Sequence, residues 1–543
     1  MRFFAKLSGK RTKLTLGAFY ILLRTAFFGG PFFIGGTIMN AVFQWLAEVN
    51  SVVYDFVWGK LGIVLLCGAG IILTVALKFF QITHIGHWFS STVGGLFKKN
   101  KEEKKADKKS VSQFQALCTA LGGTIGTGNV AGVAAAIVLG GPGAVFWMWV
   151  AAFFGTITKF SEITLGIYFR RRNDKGEWSG GAMYYLRDGF GAMRGCKALG
   201  KILAVLFALF TVIASFCIGN MGQVNKMVLN LETAVFRGVD MGEVAGVSVL
   251  RLLIGAVIMI VAALIILGGI QRIAGFAEKI VPFMAICYVA GAVALFIINF
   301  DRVGDAFLSI FRFAFSNEAL AGGVTGTVIA QIFTQGCKKG MFSNEAGLGS
   351  SVMVHISADV REPVKQGMWG IFEVFFDTFV VCSMTAFVVL TSGFIDLERG
   401  VAVAGVDDAT LVSKAFGASF GIAGEVFIAI AILLFAFTTV VGWSQYGAKA
   451  IEYLLGTRAV KAYQVLFVLM IISGAVVNST IAWDISDTFN GLMMIPNLVG
   501  VIALLPLTLK LVRNYKDRVL KGRTDVVPML SYDAAIQKEL QEK

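Results

Sequence analysis

The sequence predicts an all-α polytopic membrane protein with eleven transmembrane helices, and three observations carry that expectation. The chain has 543 residues, of which 56% are hydrophobic and only 15% charged, with a mean hydropathy of +0.75, whereas soluble domains carry about 25% charged residues. Apolar stretches near the roughly 20 residues that cross a bilayer as a helix recur along the chain. Lysine and arginine gather in alternate connecting segments, the bias that marks cytoplasmic loops. The net charge of +14 is therefore assigned to topology, and no nucleic-acid partner is expected.

Residues 1–57 form an N-terminal extension. Met1 to Tyr20 is basic and then mildly apolar, without the small-residue cleavage site of a signal peptide. Thr15 to Trp58 is interrupted by Gly29-Gly30-Pro31 and Gly35-Gly36 and carries Trp45, Tyr54 and Trp58, which reads as one or two interfacial amphipathic helices. Residues 58–96 hold a first span, Leu61 to Phe80, and 97–112 a lysine-rich loop. Residues 113–300 supply five spans: Gln115–Leu139, Gly143–Phe169, Lys201–Leu229, Val247–Gly268 and Glu278–Ile298. Residues 301–512 supply five more: Leu320–Gly336, Trp369–Thr391, Gly421–Leu454, Tyr463–Ile481 and Met493–Leu511, before a tail at 513–543.

Sidedness follows from the loops. Lys98–Lys109, Arg170-Arg171-Arg172, Gln271–Lys279, Lys338–Lys365 and Lys510–Arg523 fall on one side, hence the cytoplasm, together with the C-terminus. The opposite loop with Asp396, Glu398, Asp407 and Asp408 is acidic. Without the first span, ten remain, in two sets of five that start on opposite sides of the membrane, which is the requirement for an inverted repeat.

The opening helix of each set is expected to be discontinuous. Gln115–Leu139 contains G-G-T-I-G-T-G-N at Gly122–Asn129, and Leu320–Gly336 contains A-G-G-V-T-G-T at Ala321–Thr327. Broken backbone at membrane depth survives where it lines a protected cavity, and paired breaks in corresponding positions point to a transporter's binding site. Glycine in one membrane helix alone is also a means of close helix packing. The Gly126–Gly132 run superficially matches a dinucleotide fingerprint, but it lacks the preceding strand and the acidic residue about 20 positions on. Exposed N–H groups at a half-helix N-terminus suit a carboxylate, and freed carbonyls and hydroxyls suit a small hard cation.

The seven cysteines are scattered singly, supporting neither a disulfide framework nor a zinc site. His84, His87 and His355 sit near expected membrane ends and are read as interfacial and structural. So few histidines and such solitary cysteines argue against an enzyme.

Four motifs in order, T-A-L-G-G-T-I-G-T-G-N-V-A-G-V-A at Thr119–Ala134, G-G-P-G-A-V-F-W-M-W-V at Gly140–Val150, S-G-G-A-M-Y-Y-L at Ser179–Leu186 and G-M-F-S-N-E-A-G-L-G-S at Gly340–Ser350, resemble the alanine/glycine:cation symporter family. The similarity runs from about Trp58 to Arg513 and excludes the N-terminal extension and the lysine-rich loop. The resemblance implies a leucine-transporter-type five-plus-five fold behind one extra helix, in a bacterial or archaeal cell membrane. It implies Na⁺-coupled, in some members H⁺-coupled, import of small neutral amino acids such as L-alanine, glycine or D-alanine, with no organic cofactor. It places the substrate beside Thr124, Thr127 and Gly128, with Gln223 as an added polar contact or, equally, a helix-to-helix hydrogen bond. It implies one Na⁺ held by carbonyls of Gly122, Ile125 and Phe435 and hydroxyls of Thr438 and Thr439, an oxygen-only set suited to a hard cation. Those threonines could instead bond back to their own helix. Asn129 matches a ligand of a second ion whose remaining site is not recognisable.

Charges inside spans need partners. Lys159 and Glu162, three apart, are expected to neutralise each other. Glu373 and Asp377 share a helix face, and Asn344 and Glu345 follow the sixth core helix; these four are candidates for gating the inner mouth or for proton coupling. Beside the sodium-driven reading stand a proton-coupled transporter of the same substrates and a non-transporting sensor whose basic loop and tail contact lipid or a partner.

Overall fold

The computed structural model describes residues 36–96, 109–244, 246–315, 325–403, 410–477 and 480–542. Helices dominate, as hydrocarbon demands of a backbone that must satisfy its own polar groups. They are α1 (Gly36–Trp58), α2 (Lys60–Ala76), α3 (Gln113–Thr124), α4 (Val133–Gly140), α5 (Gly143–Phe169), α6 (Lys197–Phe216), α7 (Gly222–Ala234), α8 (Val249–Ile266), α9 (Gly269–Ile298), α10 (Phe300–Ala314), α11 (Thr325–Asn344), α12 (Val352–His355), α13 (Pro363–Val374), α14 (Ser383–Thr391), α15 (Leu411–Phe420), α16 (Ile422–Leu455), α17 (Ala459–Val476), α18 (Thr480–Ala503) and α19 (Leu505–Tyr515). Wide π-helical turns at Gly128–Gly132, Cys217–Met221 and Phe375–Cys382 join α3 to α4, α6 to α7 and α13 to α14. Shorter helices at Phe80–Thr83, Ile85–Ser91, Val93–Leu96, Ala182–Tyr184 and Ala534–Glu542, and three hairpins of two-residue strands, lie between and after these.

Among the described residues, eight helices are long and apolar enough to cross a membrane, and two bent pairs raise the number to ten. Ten of the eleven expected spans overlap these. The exception is Leu320–Gly336, whose first residues and the Ala321–Val324 part of the expected break lie outside the described residues. From Thr325 onward α11 runs without interruption to Asn344. The described discontinuity comes later: Glu345 has φ +54°, Gly347 +90° and Gly349 +72°, and the chain restarts as α12 at Val352. A non-glycine residue at positive φ is uncommon, so Glu345 is held there by its surroundings. The span expected at Met493–Leu511 is bent by 59° between α18 and α19, because Pro506 in the first turn of α19 has no N–H with which to continue the ladder.

The N-terminal extension is helical over its described part. α1 is one helix that packs on α18, with Val57 and Trp58 buried and the Trp58 indole N–H bonded to the Asp487 carbonyl at 2.8 Å. The interfacial expectation for residues 15–35 and the basic loop 97–108 fall outside the described residues.

Glycines decide how closely the central helices approach. A Cβ on Gly367 would lie 2.2 Å from Thr164 Oγ1 and 2.9 Å from the Phe160 carbonyl, and one on Gly370 2.6 Å from Ile163 Cδ1, so α13 lies directly against α5. A Cβ on Gly442 of α16 would lie 2.9 Å from Gly123 Cα in α3. Close approach of this kind is what small residues supply in membrane helix packing. Away from the core, Val111, which precedes α3, pairs with the segment after α12: its N–H donates to the Ser357 carbonyl at 3.0 Å, and the Asp359 N–H returns to the Val111 carbonyl at 2.8 Å. Arg170, at the end of α5, donates to the carbonyls of Ile356, Ala358 and Val360 at 2.9, 2.7 and 2.6 Å.

Candidate functional site

The break in the first core helix is produced by two side chains that intercept its backbone donors. The helical ladder reaches Ile125, whose N–H bonds the Leu121 carbonyl at 2.7 Å. In a continuous helix the Gly126 N–H would bond the Gly122 carbonyl, but it donates to Asn129 Oδ1 at 2.9 Å. The Thr127 N–H and hydroxyl both donate to Gln223 Oε1, at 3.4 and 3.1 Å, and Gln223 is anchored by its own amide on the Ile218 carbonyl at 3.3 Å. The chain turns by 55° at this point. A buried helix end needs such partners, since an unsatisfied buried donor costs about 1–3 kcal/mol.

A pocket opens beside the break, lined by Gly123, Thr124, Gly126, Gly128, Ile218, Gln223, Phe342, Ser343, Glu345, Thr439, Trp443 and Asn490. It joins the broken first helix to α7, to the end of α11 and to α16. The substrate residues expected from the sequence are therefore in one place: Thr124, Gly128 and Gln223 line the pocket, and Thr127 is bonded to Gln223. The glycines set its size, because a Cβ on Gly126 would come within 2.6 Å of Thr439 Oγ1 and one on Gly123 within 2.5 Å of the Tyr446 hydroxyl.

The residues expected around sodium lie at one seam, where both threonine hydroxyls bond back to the Phe435 carbonyl of their own helix, the alternative use of such threonines. Thr439 Oγ1 lies 3.4 Å from the Ile125 carbonyl and 3.0 Å from that of Phe435, so its hydroxyl bridges the seam between α16 and the broken helix. Thr438 Oγ1 bonds the same Phe435 carbonyl at 2.9 Å and touches Met284 Sδ at 3.6 Å. A Cβ on Gly122 would lie 3.3 Å from Thr438 Cβ. The Ile125 and Phe435 carbonyls and the two threonine hydroxyls are oxygen donors of the kind that fits a hard monovalent cation, with the Met284 thioether beside them. The Gly126 N–H, the helical donor expected for the Gly122 carbonyl, is bonded to Asn129 instead.

The gating candidates divide into separate networks. Asp377 is fully buried and accepts from Asn129 Nδ2 at 2.6 Å, Ser343 Oγ at 2.9 Å and Thr378 Oγ1 at 2.9 Å. Asn344 Nδ2 donates to Thr378 Oγ1 at 3.1 Å while its Oδ1 accepts from the Ala346 N–H at 3.0 Å. Glu345 accepts from Trp443 Nε1 at 3.1 Å and from the Ser350 hydroxyl. The expected Lys159–Glu162 pair is not formed. Lys159 Nζ sits 3.3 Å from Glu373 Oε1, both side chains fully buried, and Glu162 is bonded by Asn497, which also receives the Tyr185 hydroxyl. The Gly367 and Gly370 contacts explain this, because they bring the next turn of α13, and so Glu373, over Lys159. His355, expected at an interface, is fully buried, with Nε2 3.0 Å from Glu373 Oε2 and Nδ1 2.8 Å from Gln366 Nε2.

Several residues of the site had no signal in local spacing. Trp443 and Tyr446 carry no expected role, yet one bonds Glu345 and the other packs on Gly123. Asn490 falls between the expected spans Tyr463–Ile481 and Met493–Leu511, and Phe342 and Ser343 sat inside the G-M-F-S-N-E-A-G motif without a role.

Comparison with known proteins shows the family. The model of the sodium:alanine symporter family matches residues 43–528. The chain is 41% identical over 461 residues to the sodium/alanine symporter AgcS of Methanococcus maripaludis, covering 85% of this chain and 95% of that protein. It is 38% identical over 476 residues to an uncharacterized transporter of Haemophilus influenzae, covering 87% and 97%. Among solved structures it is similar to MhsT in complex with L-phenylalanine, at a TM-score of 0.49 and 14% identity over 75% of this chain and 99% of that one. With a match from residue 43 to 528, this chain belongs to the sodium:alanine symporter family and is a multi-pass membrane transporter, not an enzyme.

Proposed function

We propose that the chain imports small neutral amino acids, L-alanine and glycine first and D-alanine as a further candidate, in symport with one Na⁺ across a bacterial or archaeal cell membrane. The observation that carries this reading is the meeting of three elements at the Ile125–Gly128 break: Gln223 on the Thr127 donors, Thr439 on the Ile125 carbonyl, and glycines that keep the pocket small. In this reading the substrate carboxylate lies at the half-helix N-terminus after Gly126, near Thr124, Thr127 and Gly128, and Na⁺ lies between Gly122, Ile125, Phe435, Thr438 and Thr439. The discontinuities at 125–128 and 345–351 then open the two five-helix halves of a leucine-transporter-type repeat, behind one extra helix, with eleven spans and a cytoplasmic C-terminus. Alternating access around this site couples the two solutes. Inward movement of the ion supplies the drive, about 2.3 kcal/mol per charge for each 100 mV.

Proton coupling is the second reading, and it is favoured by one observation: Glu162, Glu345, Glu373 and Asp377 are all buried, and of these four only Glu373 has a lysine, Lys159, at ion-pair distance among the described residues, an excess of negative charge that protons could offset. Uptake of radiolabelled alanine into proteoliposomes, with Na⁺ and H⁺ gradients imposed separately, decides between them. Uptake driven by a pH gradient without Na⁺ refutes the sodium reading; no alanine or glycine uptake under either gradient refutes both.

A further inference from the structure

We infer that Glu345 is the residue that receives the substrate's α-ammonium group, and so selects amino acids over other small carboxylates. This rests on the proposed reading of the pocket as an amino-acid site and extends it to the opposite end of the substrate. Of the residues that line the pocket, Glu345 alone is ionisable. It shares the pocket with glycines, hydroxyls, amides and apolar groups, among them Gly126 and Gly128 of the turn proposed for the carboxylate. A zwitterion laid between the two would meet donors at one end and a carboxylate at the other.

The geometry of Glu345 supports a ligand and not only a link within the fold. Its backbone is held at φ +54°, a conformation that costs free energy in a residue with a side chain and that persists where the surroundings enforce it. Each carboxylate oxygen accepts one bond, Oε1 from Trp443 Nε1 at 3.1 Å and Oε2 from the Ser350 hydroxyl. An ionised carboxylate offers about four acceptor sites, so these two donors aim the group and leave room for a third and a fourth. Neither donor carries charge. Among the described residues no cation lies within ion-pair distance of Glu345, whereas the neighbouring Glu373 has Lys159 at 3.3 Å. A buried anion without a counter-ion is costly, and an arriving ammonium supplies what is missing. Asp377, the other carboxylate close to the break, is not equivalent: its oxygens are taken by Asn129, Ser343 and Thr378, and it does not line the pocket.

The test compares L-alanine with L-lactate, which keeps the carboxylate and methyl groups and replaces the ammonium by a hydroxyl. In proteoliposomes under a fixed Na⁺ gradient, the parent protein takes up alanine and is inhibited by it far better than by lactate. Glu345→Gln, which keeps the shape and an acceptor oxygen for Trp443 or Ser350, lowers alanine affinity at least tenfold, as expected for loss of a charge-assisted bond, while inhibition by lactate changes less than threefold. A residue that merely supported the fold would weaken both ligands together. If Glu345→Gln keeps the parent's preference for alanine over lactate, the inference is overturned. Should that variant fail to fold, Glu345→Asp, which holds the charge one methylene further away, gives the same comparison: a preference reduced several-fold supports the assignment and an unchanged one overturns it. Failure of the parent protein to take up any amino acid would refute the proposed function instead, so the two failures are distinguishable.

Discussion

Gly442→Ala tests whether the α3–α16 seam is the ion site. The new Cβ would stand 2.9 Å from Gly123 Cα, 3.0 Å from Gly123 N and 3.2 Å from the Thr119 carbonyl. All three are backbone atoms, so no rotamer change relieves the contact. Restoring a carbon–carbon separation of about 3.5 Å requires the helices to part by about 0.6 Å. Thr439 lies one turn before Gly442 on the same face, and its hydroxyl is already 3.4 Å from the Ile125 carbonyl. The added separation therefore falls on the residues proposed to hold the ion. Overpacking of this kind costs about 1–3 kcal/mol, and if it is relieved at the seam it lowers sodium affinity by about tenfold or more, at 1.4 kcal/mol per factor of ten. The assay is the Na⁺ concentration for half-maximal alanine uptake in proteoliposomes. The control is Gly68→Ala in α2, where a Cβ meets no atom within 4 Å and no change is expected. A shift below twofold for Gly442→Ala would show that the ion does not sit where these helices touch.

Replacing Thr438 and Thr439 together by alanine should abolish sodium-dependent uptake while the protein still runs as a monodisperse peak in detergent; retained sodium dependence would remove the assigned site. Gln223→Leu takes away the acceptor of both Thr127 donors, and the alanine half-saturation constant should rise by about tenfold, consistent with about 1–3 kcal/mol for a stranded buried donor. Lys159→Met leaves Glu373 buried without its ammonium and should destabilise the fold by about 3–5 kcal/mol, read as a lower unfolding temperature in detergent. Adding Glu373→Gln should recover most of that loss, and a double variant no more stable than the single one would argue against the pair.

Much of the site could be read from the sequence because its chemistry is local. Gly122, Gly123, Gly126 and Gly128 crowd one stretch of an otherwise apolar span, and the break falls among them. What the glycines do not reveal is which groups take the released donors. Asn129 could be seen, but its bond back to Gly126 and its reach to Asp377 depend on a contact 248 residues away. Helical spacing favoured Lys159 with Glu162, since residues three apart share a face; α13 brought Glu373 closer because Gly367 and Gly370 removed the side chains that would have held it off. His355 misled for a related reason. It lies close to polar and basic residues in sequence, which suggested a membrane end, while α12 folds back into the interior beside α13. The sixth core helix was expected to break at its glycine-rich start, but in the described residues the interruption is at Glu345–Ser351, where alternating glycines at positive φ permit the reversal.

The short backbone ladder between Val111 and Ser357–Asp359, with Arg170 fastened across the same segment, has a mechanical consequence. It yokes the entry of the first broken helix to the strand of chain that leaves the second, and both to the end of α5. A displacement of either segment that leaves the other in place must first break the two backbone bonds at Val111.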